Sequence, residues 1–470
     1  MSAKRIFGGC AAAMALCLVA TSAHAGTSEA LLKRLHDKGI LSDDDYADLM
    51  KEEQAEEAKA AAPAPAPVAT AAPVAESASG RLIKASDSGI GFEVGGATVK
   101  FSGSVNGFYV HDATQTPGAH TSVVGGVADV GSNGVSSVRN GLLPGFLKID
   151  VTTKQGGWDV GAHFGMYPGI NSANYGALGA NNGGQPTALA TSGIDFRQTY
   201  LTFARPDFGE VKIGRDIGLF GSDAILNDIT LLASGSPGGN VAPANTTLGR
   251  IGVGYIYTDF QPQITYTTPG LAGLHLSVGV FQPLESLSGP AQANSQPGFQ
   301  GKLTWDGKVG GVGLHTWVSG ITQKHDVVTG GSYTGQGLDF GGKATAGPVQ
   351  LLGYYYTATG LGTTVLNLFD TDTFGNRRGS DGYYFQALVT LGKFTAAGSY
   401  GASLLHYAND ADAIANPTLV DKNASAVGQL RYGLTSWVTL IGEYTHTTAT
   451  AHNGNEAKSD ALALGGILFF

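Results

Sequence analysis

The chain has 470 residues, including 71 Gly; 42% are hydrophobic, only 14% charged, and the net charge is −9. Soluble domains carry roughly 25% charge and about half this glycine share, while 20 Phe and 18 Tyr speak against disorder. No apolar run beyond a weak one at the N-terminus reaches the ~20 residues of a spanning helix, which excludes a helical membrane protein, and no basic patch supports nucleic-acid binding.

Residues 1–25 read as a secretory signal peptide. Lys4 and Arg5 form its charged start, residues 8–20 its apolar stretch, and Ala23-His24-Ala25 an A-x-A cleavage site. Both cysteines, Cys10 and Cys17, fall inside it, so the mature chain would hold no disulfide, Cys nucleophile or Cys-metal site. Residues 26–60 predict a periplasmic helical or coiled-coil segment. Leu31, Leu32, Leu35, Ile40 and Leu41 begin its apolar stripe, Gly39 ends a first helix, and Ser42 with Asp45 caps a second. Such short helices need self-association or a partner. Residues 61–80, with Pro63, Pro65, Pro67 and Pro73, read as an Ala/Pro-rich extended linker.

Residues 81–470 predict an all-β fold: a 16-stranded antiparallel transmembrane β-barrel with an inward-folded third loop. Period-2 segments of the length of a tilted membrane strand span 98–110, 143–154, 157–166, 194–204, 210–217, 250–268, 273–283, 298–306, 311–321, 337–346, 348–358, 382–392, 393–404, 423–434, 436–448 and 460–470. Parity breaks near Pro262, so 250–268 reads as one bulged strand or two short ones. Tight turns, such as Gly156-Gly157, Asp306-Gly307 and Gly392-Lys393, alternate with long loops, as in outer-membrane barrels. Leu147, Ile149 and Val151 oppose Lys148, Asp150 and Thr152; Leu274, Leu276, Val278 and Val280 oppose His275, Ser277 and Gly279. So wide a barrel should put its apolar face to lipid and its polar face to water. Tyr354, Tyr355, Tyr356, Tyr383, Tyr384, Trp158, Trp437 and Phe469 suit an aromatic girdle.

The last segment, with Leu462, Leu464, Leu468 and a terminal Phe470, resembles the end of bacterial outer-membrane barrels. Phe208-Gly209-Glu210-Val211-Lys212-Ile213-Gly214-Arg215 resembles a turn between strands of trimeric porins, and Gly249-Arg250-Ile251-Gly252 the strand after their third loop. The stretch from Gly214-Arg215-Asp216 to Ala224-Ile225-Leu226, with Gln263-Ile264-Thr265-Tyr266, is similar to DcaP-like porins. That resemblance implies a homotrimeric channel in the outer membrane, in contact with lipid and lipopolysaccharide. It also implies assembly through the barrel-assembly machinery by way of Phe470 and a preference for small carboxylated anions.

By parity, Lys100, Lys148, Lys212, Arg250, Lys302, Lys343 and Arg431 face the lumen, as do Asp150, Asp306, Asp339 and Glu443. Arg197 and Arg215 stay open. The barrel region carries 21 Lys and Arg against 26 Asp and Glu, so only local placement could select anions. Residues 218–249 form the third loop. Ser222 is expected to cap a helix bearing Ile225, Leu226, Ile229, Leu231 and Leu232, too apolar for an exposed loop, so the loop should fold inward; a subunit contact is the alternative. Arg250, where this loop rejoins the wall, is then expected to carry anion selectivity with Lys148, aided by Lys100 or Arg431 and opposed by Glu443 and Asp223. No catalytic or nucleotide motif is present, no cofactor is expected, and His163, His275 and His315 stand as isolated pore-lining side chains. Asp370-x-Asp372-x-Phe374-Gly375 resembles the start of a calcium loop but lacks its Glu; no metal site is expected there. The expected function is a passive diffusion porin favouring small anions such as dicarboxylates. The alternatives are a phosphate-type anion-selective porin, which would want a ladder of lumen Arg, and a barrel enzyme such as a lipase, which would need a Ser-His pair.

Overall fold

The computed structural model describes residues 84–85, 89–132, 134–170, 194–237 and 246–470. The signal peptide, helical segment and linker expected over 1–80 lie outside them. Sixteen strands form the barrel: β1 Ala97–Thr114, β2 Phe146–Gln155, β3 Trp158–Pro168, β4 Ile194–Arg205, β5 Gly209–Ile217, β6 Phe260–Thr267, β7 Leu274–Phe281, β8 Gly298–Val309, β9 Val312–Asp326, β10 Ser332–Ala346, β11 Val349–Thr359, β12 Gly379–Leu391, β13 Phe394–Leu405, β14 Val420–Gly433, β15 Val438–Ala451 and β16 Glu456–Phe469. Each is antiparallel to the next, and β16 returns to β1 from Ser459↔Thr114 to Phe469↔Ser104, which closes the ring and leaves each barrel strand paired on both sides. Two shorter strands lie against β1: Ile90–Val94 pairs with its start and Val135–Arg139 with its middle.

Two local expectations are corrected. The β8–β9 turn is Gly310-Gly311, both with positive φ (56° and 85°), and not Asp306-Gly307. Asp306 stays in the ladder opposite His315, whose Nδ1 lies 2.8 Å from its carboxylate. Residues 250–259 are not strand. Gly252 (φ 76°), Gly254 (φ 154°) and Asp259 (φ 61°) break the extended path, and this segment runs inside the barrel until β6 begins at Phe260.

The outer face follows the alternation: Leu274, Leu276, Val278 and Val280 are all exposed, whereas Ser277 is buried. The aromatic girdle is smaller than expected. Neighbouring strand residues point to opposite faces, so Tyr355 and Tyr383 lie outside, against Phe340 and Tyr400. Tyr354, Tyr356 and Tyr384 are buried inside. At the short-turn end Trp158 packs edge-on to Phe203 and Phe208, with Arg205 over its ring at 4.7 Å.

The interior also departs from a water-lined tube. Loop residues Phe220, Ile225, Ile251 and Ile256 join Leu361, Val365 and Leu366 of the β11–β12 loop and wall residues Trp317, Leu352, Tyr354, Tyr356 and Tyr384 in one buried cluster. Inward loops thus fill the side of the lumen facing β9–β12 as a soluble protein fills its core. Each fully buried large side chain contributes ~1.5–3 kcal/mol.

At the long-loop end, the β13–β14 loop carries a short helix (Asp410–Ala415), begun by Asn409, whose side chain accepts from the Asp412 N–H. Arg378 donates to Asp412 through Nε (2.8 Å) and a terminal nitrogen (2.6 Å), and the Ala408 N–H and Asn416 add two more bonds. Burial alone would raise the Asp412 pKa; Arg378, the Ala408 N–H and Asn416 outweigh it and hold the carboxyl down at about 2. A depressed carboxylate stabilises the fold above its unfolded pKa of ~3.9 and loses that as pH falls toward the folded value, here ~2–3 kcal/mol in all. Amides across 405–419 are therefore expected to show high protection factors at pH 7 that fall below pH ~4; Arg378→Ala should already lose that protection at pH 7. Protection independent of pH in the native protein would mean this pair does not hold the loop.

Candidate functional site

The third loop, between β5 and β6, positions the site. Gly221 (φ 75°) caps helix α1 (Ser222–Asn227), and its N–H donates to Asp339 Oδ2 on β10 at 2.7 Å. Ser222 was the expected cap; its hydroxyl instead donates backward to the Leu219 carbonyl. Asp228 ends α1 and starts a 3-10 turn, Ile229–Leu232, by accepting the Thr230 N–H.

Wall side chains from β8 to β15 hold this loop in sequence. Lys302 reaches Asp223 (2.7 Å) and Ser222 (2.9 Å), and His315 touches Asp223 at 3.1 Å. Lys343 donates to Asn227 Oδ1 (2.6 Å) and Tyr384 to the Ala224 carbonyl (2.7 Å). Gln386 receives the Ile229 N–H (3.0 Å), and Arg431 and Gln429 donate to the Ile229 carbonyl (2.8 and 3.1 Å). Glu443 accepts the N–H groups of Ser234 (3.0 Å) and Gly235 (2.6 Å) and a bond from Gln429. The two arms of the loop meet at Gly235 and Gly249, where a Cβ on the first would lie 2.4 Å from the Cα of the second.

Parity put these side chains on the inner face, and the structure does so. Their surroundings differ from the expectation: Lys302, Lys343, Arg431, Asp223 and Glu443 hold the loop and do not line open water. Arg250 departs furthest. It has no exposed surface, its Nε lies 3.9 Å from Asp228, and it donates to Val253 and Ser425. A guanidinium sealed between loop and wall cannot meet a passing ion, so Arg250 does not serve as the selective charge. His163 and His315 are not isolated: His163 is 2.5 Å from Asp150 and stacks on Tyr200, and His315 bridges Asp306 and Asp223.

With β9–β12 covered, the remaining lumen lies against β2–β6. A cavity of about 640 Å³ opens there between loop and wall. One side is apolar, with Leu142, Leu143, Leu226, Leu231, Leu284 and Leu366; the other carries Lys148, Arg197, Arg215, Asp195, Asp216, Asp259 and Glu285. Arg197 is turned inward by a register shift between Gly165 and Tyr167, so strand parity could not have found it. It pairs with Asp195 (2.5 Å) and lies over the rings of Tyr167 and Phe260. Arg215 pairs in unbroken register with Thr199 and Pro262, on the row of exposed Ile213, and reaches the cavity only at its edge, near Asp259. Lys212 pairs with Asp216, which also accepts from Gln198 at 2.7 Å. Among the described residues, Lys148 and Arg215 are the cavity cations without an ion-pair partner, and Glu285 is an acid without one. Lys100 stands exposed near the short-turn end, opposite Asp150 in register.

A serine and a histidine do meet on the outer face, Ser136 Oγ and His111 Nδ1 at 2.9 Å. No third group orients the other ring nitrogen among the described residues, so the pair lacks the geometry of an activated nucleophile. Asp372 accepts from the Phe374 and Asn376 N–H groups and from Asn376 Nδ2, and Asp370 from Ser286 and Tyr333. Those carboxylates close loop turns and do not form a calcium loop. Among the described residues no three or more His, Cys, Asp or Glu converge as metal ligands.

Comparison with known proteins agrees with this architecture. The outer-membrane channel DcaP of Acinetobacter baumannii is 17% identical, with a TM-score of 0.59 over 80% of this chain and 98% of its own. The anion-selective porin from Comamonas acidovorans is 14% identical, with a TM-score of 0.54 over 80% of this chain and all of its own. At such identities the likeness is one of fold. No curated protein matches in sequence. The model of the Gram-negative porin family matches residues 60–466, most of the barrel and part of what precedes it. A closed sixteen-strand ring, a third loop folded into it and that match together make the chain a member of the Gram-negative porin family.

Proposed function

We propose that this outer-membrane channel passes small hydrophilic solutes by diffusion and favours small organic anions, dicarboxylates among them. One observation carries the reading: Lys148 and Arg215 border the open side of the lumen, neither in an ion pair among the described residues, across from a wall of leucines. In a narrow aqueous passage with a low-dielectric wall, such charges concentrate counter-ions. The anion-selective porin that shares the fold supports the same direction. A phosphate-type porin would need a run of free arginines; Arg250 is sealed, Arg431 bonded to the loop and Arg197 paired. Family and fold favour a channel over an enzyme. The exposed apolar outer wall would meet lipid, lipopolysaccharide and, in a homotrimer, neighbouring subunits. Residues 1–25 would direct export and 26–80 would stand in the periplasm.

The test is the Lys148→Ala, Arg215→Ala double variant in planar bilayers. At ~10 mM salt, where the Debye length is ~30 Å, its reversal potential should move toward cations, with a much smaller difference at 1 M, where screening falls to ~3 Å. Flux of a dicarboxylate should drop more than that of a neutral sugar of equal size. An unmoved reversal potential would put selectivity elsewhere.

A further inference from the structure

Two leucines stand in open space inside the barrel. Leu226, on α1, is 55% exposed, and Leu287, on the β7–β8 loop, is 59% exposed; both line the cavity between loop and wall. Strand leucines this exposed, such as Leu276 and Leu464, belong to the outer wall that faces lipid. Leu226 and Leu287 sit on inward loops instead, the second tied to the β11–β12 loop by its N–H, which donates to the Asn367 carbonyl at 2.9 Å. Lipid does not reach them there, and leaving them in water forgoes most of what burial would contribute. The opposite side of the cavity is not purely polar either. Ring centroids of Phe146 and Tyr167 lie 5.8 Å apart, and those of Tyr167 and Phe260 6.0 Å. The Lys148 ammonium stands 5.5 Å over the Phe146 ring, and the Arg197 guanidinium 5.2 and 5.8 Å over the other two.

Charge on that side is mostly matched. Arg197 pairs with Asp195 and Lys212 with Asp216, while Asp259 accepts the Phe260 N–H at 2.6 Å. Lys148 is in no ion pair among the described residues, so it is open to one carboxylate; Glu285, an acid of the same cavity, disfavours a second. The volume of about 640 Å³ falls within the ~300–1,000 Å³ of pockets for small organic ligands, which combine apolar and aromatic walls with a few placed charges. We propose, resting on the anion preference argued above, that the solutes this channel favours most are amphipathic monocarboxylates, medium-chain or phenyl-substituted alkanoates, whose carboxylate meets Lys148 while the hydrocarbon body lies against Leu226 and Leu287. A dicarboxylate of the same length would have to set its second charge against leucine, where it loses water and gains no partner. A single cation and a half-open apolar wall hold such a solute briefly, as passage requires: binding must favour entry and still permit release.

The experiment uses the full-length protein in planar bilayers and reads the block of ion current by acetate, butanoate, hexanoate and 4-phenylbutanoate, beside glutarate and the neutral amide of each monoacid. In the wild type the apparent affinity should rise about two- to threefold per added methylene, short of the ~fourfold that full burial would give. Hexanoate should block several-fold more strongly than glutarate or hexanamide. Leu226→Ser with Leu287→Ser changes two exposed side chains, so the barrel should unfold at the wild-type temperature, and hexanoate should fall toward the level of acetate. Lys148→Ala should weaken every acid and leave the amides unchanged. Equal block by acetate and hexanoate in the wild type would overturn the amphipathic preference, and the anion reading would still stand if the acids outdid their amides. Acids and amides that block alike would instead sink the anion reading. A chain-length dependence that survives in the double serine variant would overturn the place assigned to the hydrocarbon body.

Discussion

Arg250→Ala is expected to damage the fold of the channel, not its choice of ions. The substitution strips the Asp228 carboxylate of its one ion-pair partner among the described residues, in a place with no solvent. Breaking a buried pair from one side costs ~3–5 kcal/mol, because the remaining charge is left uncompensated. Asp228 would keep its bonds from Thr230 and Tyr255, but they do not supply charge. The variant should unfold at lower temperature, and its traces should be noisy as the loop leaves its seat. The companion is Arg250→Met with Asp228→Asn, which removes both charges and keeps volume; it should recover most of the loss. Quiet, native-like channels with a changed reversal potential in Arg250→Ala would contradict this and return Arg250 to the pore.

Glu443→Ala should produce the largest change in conductance. The Glu443 carboxylate receives two loop N–H groups, from Ser234 and Gly235, and a bond from Gln429. Without it each buried N–H is left unsatisfied at ~1–3 kcal/mol. A few kcal/mol is enough to move the loop from nearly always seated to often detached, since each 1.4 kcal/mol is a factor of ten. Single-channel conductance should rise or flicker between a native and a larger level. Glu443→Gln keeps an acceptor oxygen and should stay near wild type. Equal conductance in all three proteins would show that other contacts hold the loop unaided.

The contrast between these residues and Lys148 shows what alternation can and cannot convey. A period of two in residues such as Leu274 to Val280 fixes which way each side chain points, and the sixteen strands were legible for that reason. The inward direction of Lys302, Lys343, Arg431 and Glu443 was legible too. What they meet was not, because direction does not tell whether a loop or water lies opposite. The apolar helix at Ile225 and Leu226 hinted at inward folding; nothing local announced that the β11–β12 loop joins it through Leu361 and Val365. Arg197 escaped because a register shift reverses its face. Tyr354 and Tyr356 were misassigned where composition was read ahead of parity.

The lopsided filling of the lumen also divides its positions by how freely they can be redesigned. Tyr356, Tyr384 and Leu352 sit in a close-packed environment, where losing or adding a few methylenes is felt. Lys148, Arg215 and Glu285 border open space and should accept residues of almost any size or charge. Anyone resizing this protein as a sensor pore would find the usable palette on β2–β6 and the adjoining loop tips, with the opposite arc kept as frame.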